Sequence, residues 1–249
     1  MPTFEDWNRL LADAAAQLGY AQFPQALAEA LRLLAPFEMM NAFQYASDGT
    51  AHDLHNQDIP VDHTVIVDHY LAGAYVLDPF YEAVRQSGES RLLVMRELAP
   101  DEFHQTEYYR RHYASTGISD EVGFVLPLDR GVIGVLSLSR IGGGLFSEAD
   151  LETMTQASPI VCALAARHWR EAAVLPTPAH GSRAIPRIAD ERLTKRENEI
   201  VNLLLKGHSS LSTALQLSLS PNTIKVHRRK IYEKLNLSSQ AELFLLFLT

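Results

Sequence analysis

Lys225, Val226 and Arg229 stand within the run Pro221-Asn222-Thr223-Ile224-Lys225-Val226-His227-Arg228-Arg229-Lys230-Ile231. On a helix their spacing puts all three on one face. Arginine can form a bidentate pair with guanine, and valine can touch a thymine methyl. This is the chemistry of reading base edges rather than of making bonds. Ile224, His227, Ile231 and Leu235 recur at three- and four-residue spacing and form a second, packed face. Ser220 suits an N-cap and Pro221 the first helical position, so the helix should begin there. A helix apolar behind and basic in front suits the DNA major groove, which admits one helix. Taken alone it could equally be a solvated surface, because a short charge run is weak evidence.

The elements around it carry the argument further. The chain has 249 residues, for which two domains are the natural expectation, and a formal charge of −8. From Ile188 onward there are nine Lys+Arg and six Asp+Glu, a net +3, leaving −11 on the remainder. All five lysines lie in that second part. An acidic body carrying a basic module is the expected organisation. No apolar run is long enough for a membrane span, and Met1-Pro2-Thr3-Phe4-Glu5-Asp6-Trp7 has no signal-peptide pattern, so a cytoplasmic location is expected. The lone Cys162 excludes an intrachain disulfide and reads as packing.

In chain order, helices are expected over 5–18 and from Pro24 to near Pro36. A strand over 37–46, a turn at 47–50 and a return strand over 51–56 follow. Helices are expected over 62–74 and 79–86, a short strand over 91–95, and an aromatic helix over 101–114. The clearest hairpin spans 120–128 and 131–139. Gly142-Gly143-Gly144 reads as a connection, because no Gly-Lys-Ser/Thr follows to make a phosphate loop. Ser147 with Asp150 opens a long helix to about Arg170, with a kink or a lost bond at Pro159. The front part is thus an α+β sandwich over 1–171, an antiparallel sheet flanked by helices. Pro176, Pro178, Gly181 and Pro186 mark a linker over 172–189.

Residues 190–249 form an all-α, four-helix module. Thr194 and Glu197 make a capping box, Gly207 can end that helix left-handed, and Ser210 to Leu217 is a short second helix. Leu219-Ser220 then turns into the basic helix, and a fourth runs from Ser238 to Leu248. The order and spacing make a helix-turn-helix. Leu193-Thr194, Arg196-Glu197, Glu199, Gly207, Ala214, Leu217, Ser220, Thr223-Ile224-Lys225, His227, Ile231 and Lys234-Leu235 resemble the LuxR-type family of bacterial transcription regulators. The resemblance implies double-stranded DNA as partner, Lys225, Val226 and Arg229 facing bases, and Thr223, Arg228, Lys230 and Lys234 near phosphates. His227 packs or meets a phosphate rather than a metal. The chain departs from the family's Glu-Ile-Ala at Ser212-Thr213-Ala214, and from its usual Arg at Ser239-Gln240. The apolar last helix either packs on its own domain or forms a homodimer seam.

The front module lacks lysine and early paired acids, which excludes a phosphorylated receiver. Its stretch Tyr70-Leu71-Ala72-Gly73-Ala74-Tyr75-Val76-Leu77-Asp78-Pro79 resembles part of the acyl-homoserine-lactone receptors, which implies a pocket with Tyr70, Tyr75, Asp78 and Phe80. Those receptors place a Trp and a Tyr shortly before this Asp, where Val65 and His69 stand here. Gly117-Ile118-Ser119-Asp120-Glu121, Leu136-Ser137-Leu138-Ser139-Arg140 and Leu145-Phe146-Ser147-Glu148-Ala149-Asp150 resemble GAF-type sensor domains, which share a GAF/PAS-like sandwich and bind assorted small molecules or none. Asp78 also suits an N-cap for a helix begun by Pro79, and the tyrosines also suit a core. His52, His55, His63 and His69 lack thiolates and tight spacing, so no metal is expected. No nucleophile elbow, metal signature or phosphate loop is present, so neither an enzyme nor a cofactor is expected. The reading is a sequence-specific DNA-binding regulator whose sandwich senses a small molecule or partner and controls promoter binding, with an acyl-homoserine-lactone-responsive regulator as the alternative. A partner-docking regulator is the further alternative.

Overall fold

The computed structural model describes residues 3–56, 67–170 and 188–248. Five antiparallel strands form one sheet in the order β2-β1-β5-β4-β3. They are β1 (Met39–Tyr45), β2 (Ala51–His55), β3 (Leu92–Val94), β4 (Ile118–Pro127) and β5 (Ile133–Ile141). Helices cover both faces, as the alternation of side chains across a pleat requires when each face is apolar.

One face carries Met40, Ala42, Val122, Phe124, Leu126, Leu136 and Leu138. It is covered by α1 (Phe4–Ala16), α2 (Phe23–Arg32) and α6 (Glu148–Trp169). Capping boxes at Thr3–Asp6 and Ser147–Asp150 start α1 and α6. Cys162 is buried on this side. α6 continues through Pro159, which lies on its exposed side, where water can serve the carbonyl left without an N–H.

The opposite face carries Met39, Phe43, Tyr45, Val125 and Val135, with polar Asn41, Ser137, Ser139 and Glu121 among them. Over it lie α3 (His69–Leu71), a 3-10 turn (Ala74–Leu77), α4 (Pro79–Gln86) and α5 (Met95–Leu98). The helix expected over 62–74 falls partly outside the described residues. Its described part is helical from Val67 through α3 and then breaks at Gly73 into that turn. The single helix expected over 101–114 is also corrected. A 3-10 turn (Phe103–Gln105) stops at extended Thr106, and a π-helix (Tyr109–Ala114) follows. Thr106 Oγ accepts from the Tyr109 N–H and so restarts the chain, an outcome that residue periodicity cannot register.

The tail consists of α7 (Lys195–Lys206), α8 (Ser210–Leu217), α9 (Pro221–Leu235) and α10 (Gln240–Leu248). The expected capping box, left-handed Gly207 cap and Ser220 N-cap are all present. Ile200, Leu204, Ala214, Ile224, Ile231, Leu235 and Leu243 fill its centre. The linker boundary expected over 172–189 lies almost wholly outside the described residues.

Candidate nucleic-acid interface and sensor chamber

α9 is held from behind and open in front. Ile224, Ile231 and Leu235 are buried, and the Ser220 hydroxyl accepts the Thr223 N–H at 3.0 Å. Lys225, Val226, Arg229 and Lys230 are exposed; Val226 at 44% is a large apolar side chain facing solvent beside two cations. Arg229 has one weak neighbour, Glu233 at 3.7 Å, and both side chains are open to water. Arg228 turns back to the Ser210 hydroxyl at 3.0 Å and ties α9 to α8. Thr223 pairs with the Ser220 hydroxyl at 2.8 Å.

Lys234 takes a different place from its sequence neighbours. Its Nζ donates to Glu197 Oε2 at 2.6 Å, and that carboxylate also accepts from the Thr194 N–H and hydroxyl. Burial alone would raise the Glu197 pKa, but Lys234 and Thr194 outweigh it and hold the group at about 2. The capping box marked Glu197 in the sequence, but nothing marked its pairing with Lys234. Thr213 is fully buried, and its hydroxyl finds no partner among the described residues. The departure from the family's Ile thus leaves an unsatisfied polar atom in the tail's core.

The tail docks on the sandwich through the bend between α7 and α8. Lys206 Nζ lies 2.7 Å from Glu82 Oε2 on α4. Gly207 O accepts from Glu102 N at 2.8 Å, and Ser209 N donates to Asp101 Oδ1 at 3.0 Å. Gly207 has φ +96°, and a Cβ there would come within 2.7 Å of Phe103 Cα. Glycine is thus needed twice, for the left-handed cap and for the close approach. Arg111 of the π-helix lies over the Phe244 ring of α10 at 5.2 Å. The docked tail leaves the exposed face of α9 uncovered.

Inside the sandwich, Asp78 does two jobs. Oδ1 caps the Phe80 N–H at 2.7 Å, and Oδ2 accepts from the Tyr70 hydroxyl at 2.6 Å. Tyr45 extends the chain, its hydroxyl 2.5 Å from that of Tyr70. Burial raises Asp78 to about 6 against the pull of these hydrogen bonds. Tyr75 points elsewhere, to Gly49 O at 3.0 Å, and Phe80 is core against Gly123. Of the four expected pocket residues, the structure therefore joins Tyr70, Asp78 and the Phe80 backbone. His69 is exposed, and Val65 and His63 lie outside the described residues. A second buried acid, Glu121, accepts from the Tyr113 hydroxyl. Burial and then the field of Asp78 push it up to about 8. Only the strand alternation around Glu121 could have flagged it as inward.

Residues 191–247 match the family of bacterial regulatory proteins described as luxR family, GerE. An Aeromonas salmonicida protein, named for an HTH-type transcriptional regulator in the exeN 3′ region, is 30% identical over 183 residues. The match covers 69% of this chain and 93% of that one. The chain belongs to the luxR family. It is a DNA-binding transcription regulator, not an enzyme. The tail alone is also similar to the response regulator TodT of Pseudomonas putida, 38% identical over 63 residues, which is 23% of this chain and 28% of that protein. The sandwich is similar to the LBD domain of VqsR from Pseudomonas aeruginosa, with a TM-score of 0.58 and 25% identity over 65% of this chain and 95% of that one. This luxR-family chain therefore carries an antiparallel sensor-type sandwich before its helix-turn-helix. Among the described residues, no helix is long and apolar enough to cross a membrane.

Proposed function

We propose that α9 enters the major groove of double-stranded DNA and reads it with Lys225, Val226 and Arg229. Thr223, Arg228 and Lys230 sit at the flanks, where they can meet phosphates and position the helix without reading sequence. Lys234 lies further along, held by Glu197, and serves the fold first. The observation that carries this reading is the outward face of α9, open while the rest of the helix is packed. The sandwich senses a small molecule in the cytoplasm. Because docking leaves α9 open, the seam governs the orientation of the tail rather than its access to DNA. An effector shifts that orientation only if it binds the two arrangements with different affinity.

The working species is a homodimer on paired half-sites, which two-fold helix-turn-helix regulators require. Leu243 and Phe244 of α10 are buried, while Leu245 and Leu246 are 42% and 44% exposed, so the helix packs on its own chain and still offers an apolar edge. A second reading of the effector, an acyl-homoserine lactone, is favoured by the Tyr70–Asp78 pair.

Gel-shift titration of Arg229→Ala against a set of single-base operator variants tests the reading face. The loss should be about 1–3 kcal/mol at the cognate site, with one base position relaxed. Unchanged affinity would remove Arg229 from the interface.

A further inference from the structure

Beside the Asp78 site, and separate from it in its lining, is a cavity of about 260 Å³ between the π-helix, the 3-10 turn at Phe103–Gln105, α5 and β4. Phe103, Tyr109 and Tyr113 form aromatic walls, and Glu121 lines it. The three rings make edge-to-face and stacked contacts with centroids 5.5–5.7 Å apart, so the wall is already built. Asp101 and Asp120 also line it.

Among the described residues, no lysine or arginine pairs with Glu121. Arg96, the lone Lys or Arg on the lining, is taken by Asp120 at 2.5 Å and by Phe146 O at 3.1 Å. The sequence before Ile188 has no lysine. Glu121 is buried, with the Tyr113 and Ser137 hydroxyls as its partners rather than a cation. A polar atom next to it is also unserved. Ser139, directly across from Glu121 in the β4–β5 register, is fully buried, and its hydroxyl has no partner among the described residues. The hydroxyl of Tyr108, 1% exposed, is turned toward Asp78 and lies in the field of both Asp78 and Glu121.

Aromatic faces attract a desolvated cation, and a buried carboxyl group that no lysine or arginine serves can give up its proton to complete such a site. The volume falls below the ~300–1,000 Å³ of pockets for drug-sized ligands, so the occupant is small. We propose that this cavity binds a small organic cation, a primary alkylamine or quaternary ammonium group. Glu121 releases its proton to solvent as the cation enters and becomes its counter-ion, and Phe103, Tyr109 and Tyr113 are its walls.

The cavity also touches the seam. Asp101 on its lining accepts the Ser209 N–H of the tail, and the Phe103 backbone packs against Gly207. An occupant therefore presses on the residues that hold the tail. This coupling, unlike the binding, rests on the reading of the sandwich as a sensor.

Calorimetric titration of the full chain with butylamine and tetramethylammonium, each against butanol and tert-butanol, tests the site. The cations should bind with Kd below about 1 mM and about tenfold tighter than the neutral molecules. Glu121→Gln should abolish that preference. Tyr109→Leu, at a half-buried wall position, should weaken the cations and spare the alcohols, and it decides the matter if Glu121→Gln does not fold. Equal binding of cation and alcohol, no binding of either cation, or an undiminished preference in the variants would overturn the site. Cation binding that leaves operator affinity unchanged would keep the site and overturn its coupling to the tail.

Discussion

Lys206 Nζ, at the end of α7, sits 2.7 Å from Glu82 Oε2 on α4 and joins the basic tail to the lysine-free sandwich. The side chains are 18% and 41% exposed, so the pair is neither fully buried nor freely solvated. A pair in this setting contributes at most about 1 kcal/mol. Its effect should show at the seam before it shows in global stability. Lys206→Met or Glu82→Gln should speed hydrogen exchange at the Ser209 and Glu102 amides, which bond across the seam. The double variant should add little to either single one. Unaltered exchange at both amides would mean that backbone contacts alone hold the tail.

Thr213 occupies a place built for an apolar side chain. It is fully buried in α8, and its hydroxyl has no partner among the described residues. Valine has the same shape without the hydroxyl. Thr213→Val should raise stability by about 1 kcal/mol, because an unsatisfied buried hydroxyl carries a desolvation cost of that order. Chemical denaturation of the full chain, followed by helical signal, measures it. A loss of stability would show that the hydroxyl has a partner in solution, such as a trapped water.

Much of this was legible in the sequence, for identifiable reasons. Features fixed by neighbours in the chain read correctly: the capping boxes at Ser147–Asp150 and Thr194–Glu197, the Gly207 cap, the Pro79 and Pro221 helix starts, and the β4–β5 hairpin. The outward set Lys225, Val226 and Arg229 followed from helical period alone. Features set by distant partners did not read. Lys234 looks like its basic neighbours until Glu197, 37 positions earlier, is brought beside it. The seam depends on Glu82, Asp101 and Phe103 meeting residues more than a hundred positions later, which no local pattern encodes. The break at Thr106 hides because the aromatic residues on either side share one apparent period.

Lys230 and Lys234 make a matched contrast. Lys230 is exposed and at the edge of the reading face. Lys230→Ala should weaken binding to all duplexes alike and lower the salt slope by about 1. Lys234 holds the buried Glu197. Lys234→Ala should cost about 2 kcal/mol of stability, the worth of a hydrogen bond to a charged group. Glu197 sits at about 2, below the ordinary 4.5 of its unfolded form, so its contribution is present above pH 4.5 and lost as pH falls toward 2. Denaturation across that range should show the wild-type stability falling and the Lys234→Ala chain falling less. A sequence-selective loss for Lys230→Ala would move that residue onto the bases.

Glu121 should give the sandwich the opposite dependence. Its folded pKa is pushed up to about 8, above the 4.5 of an ordinary glutamate, first by burial and then by Asp78. Asp120 adds in the same direction, while the Tyr113 hydroxyl and Ser137 pull against it. Between these values the folded chain keeps a proton that the unfolded chain releases. Stability therefore falls as pH rises from 4.5 through 8. Asp78, raised to about 6, contributes only in the lower part of that window. The interval from pH 6 to pH 8 then reports chiefly Glu121, with His168 and His208, both lowered from 6.5 by burial, adding an opposite slope only at its lower end. Thermal melts of the full chain should show the midpoint dropping across that interval, and Glu121→Gln should flatten the drop while leaving the slope below pH 6. Glutamine keeps the shape and cannot ionise, so it should also melt higher than the wild type at pH 8. A flat wild-type profile from pH 6 to 8 would mean that Glu121 is already ionised in the fold, balanced by a cation inside the chain or by water.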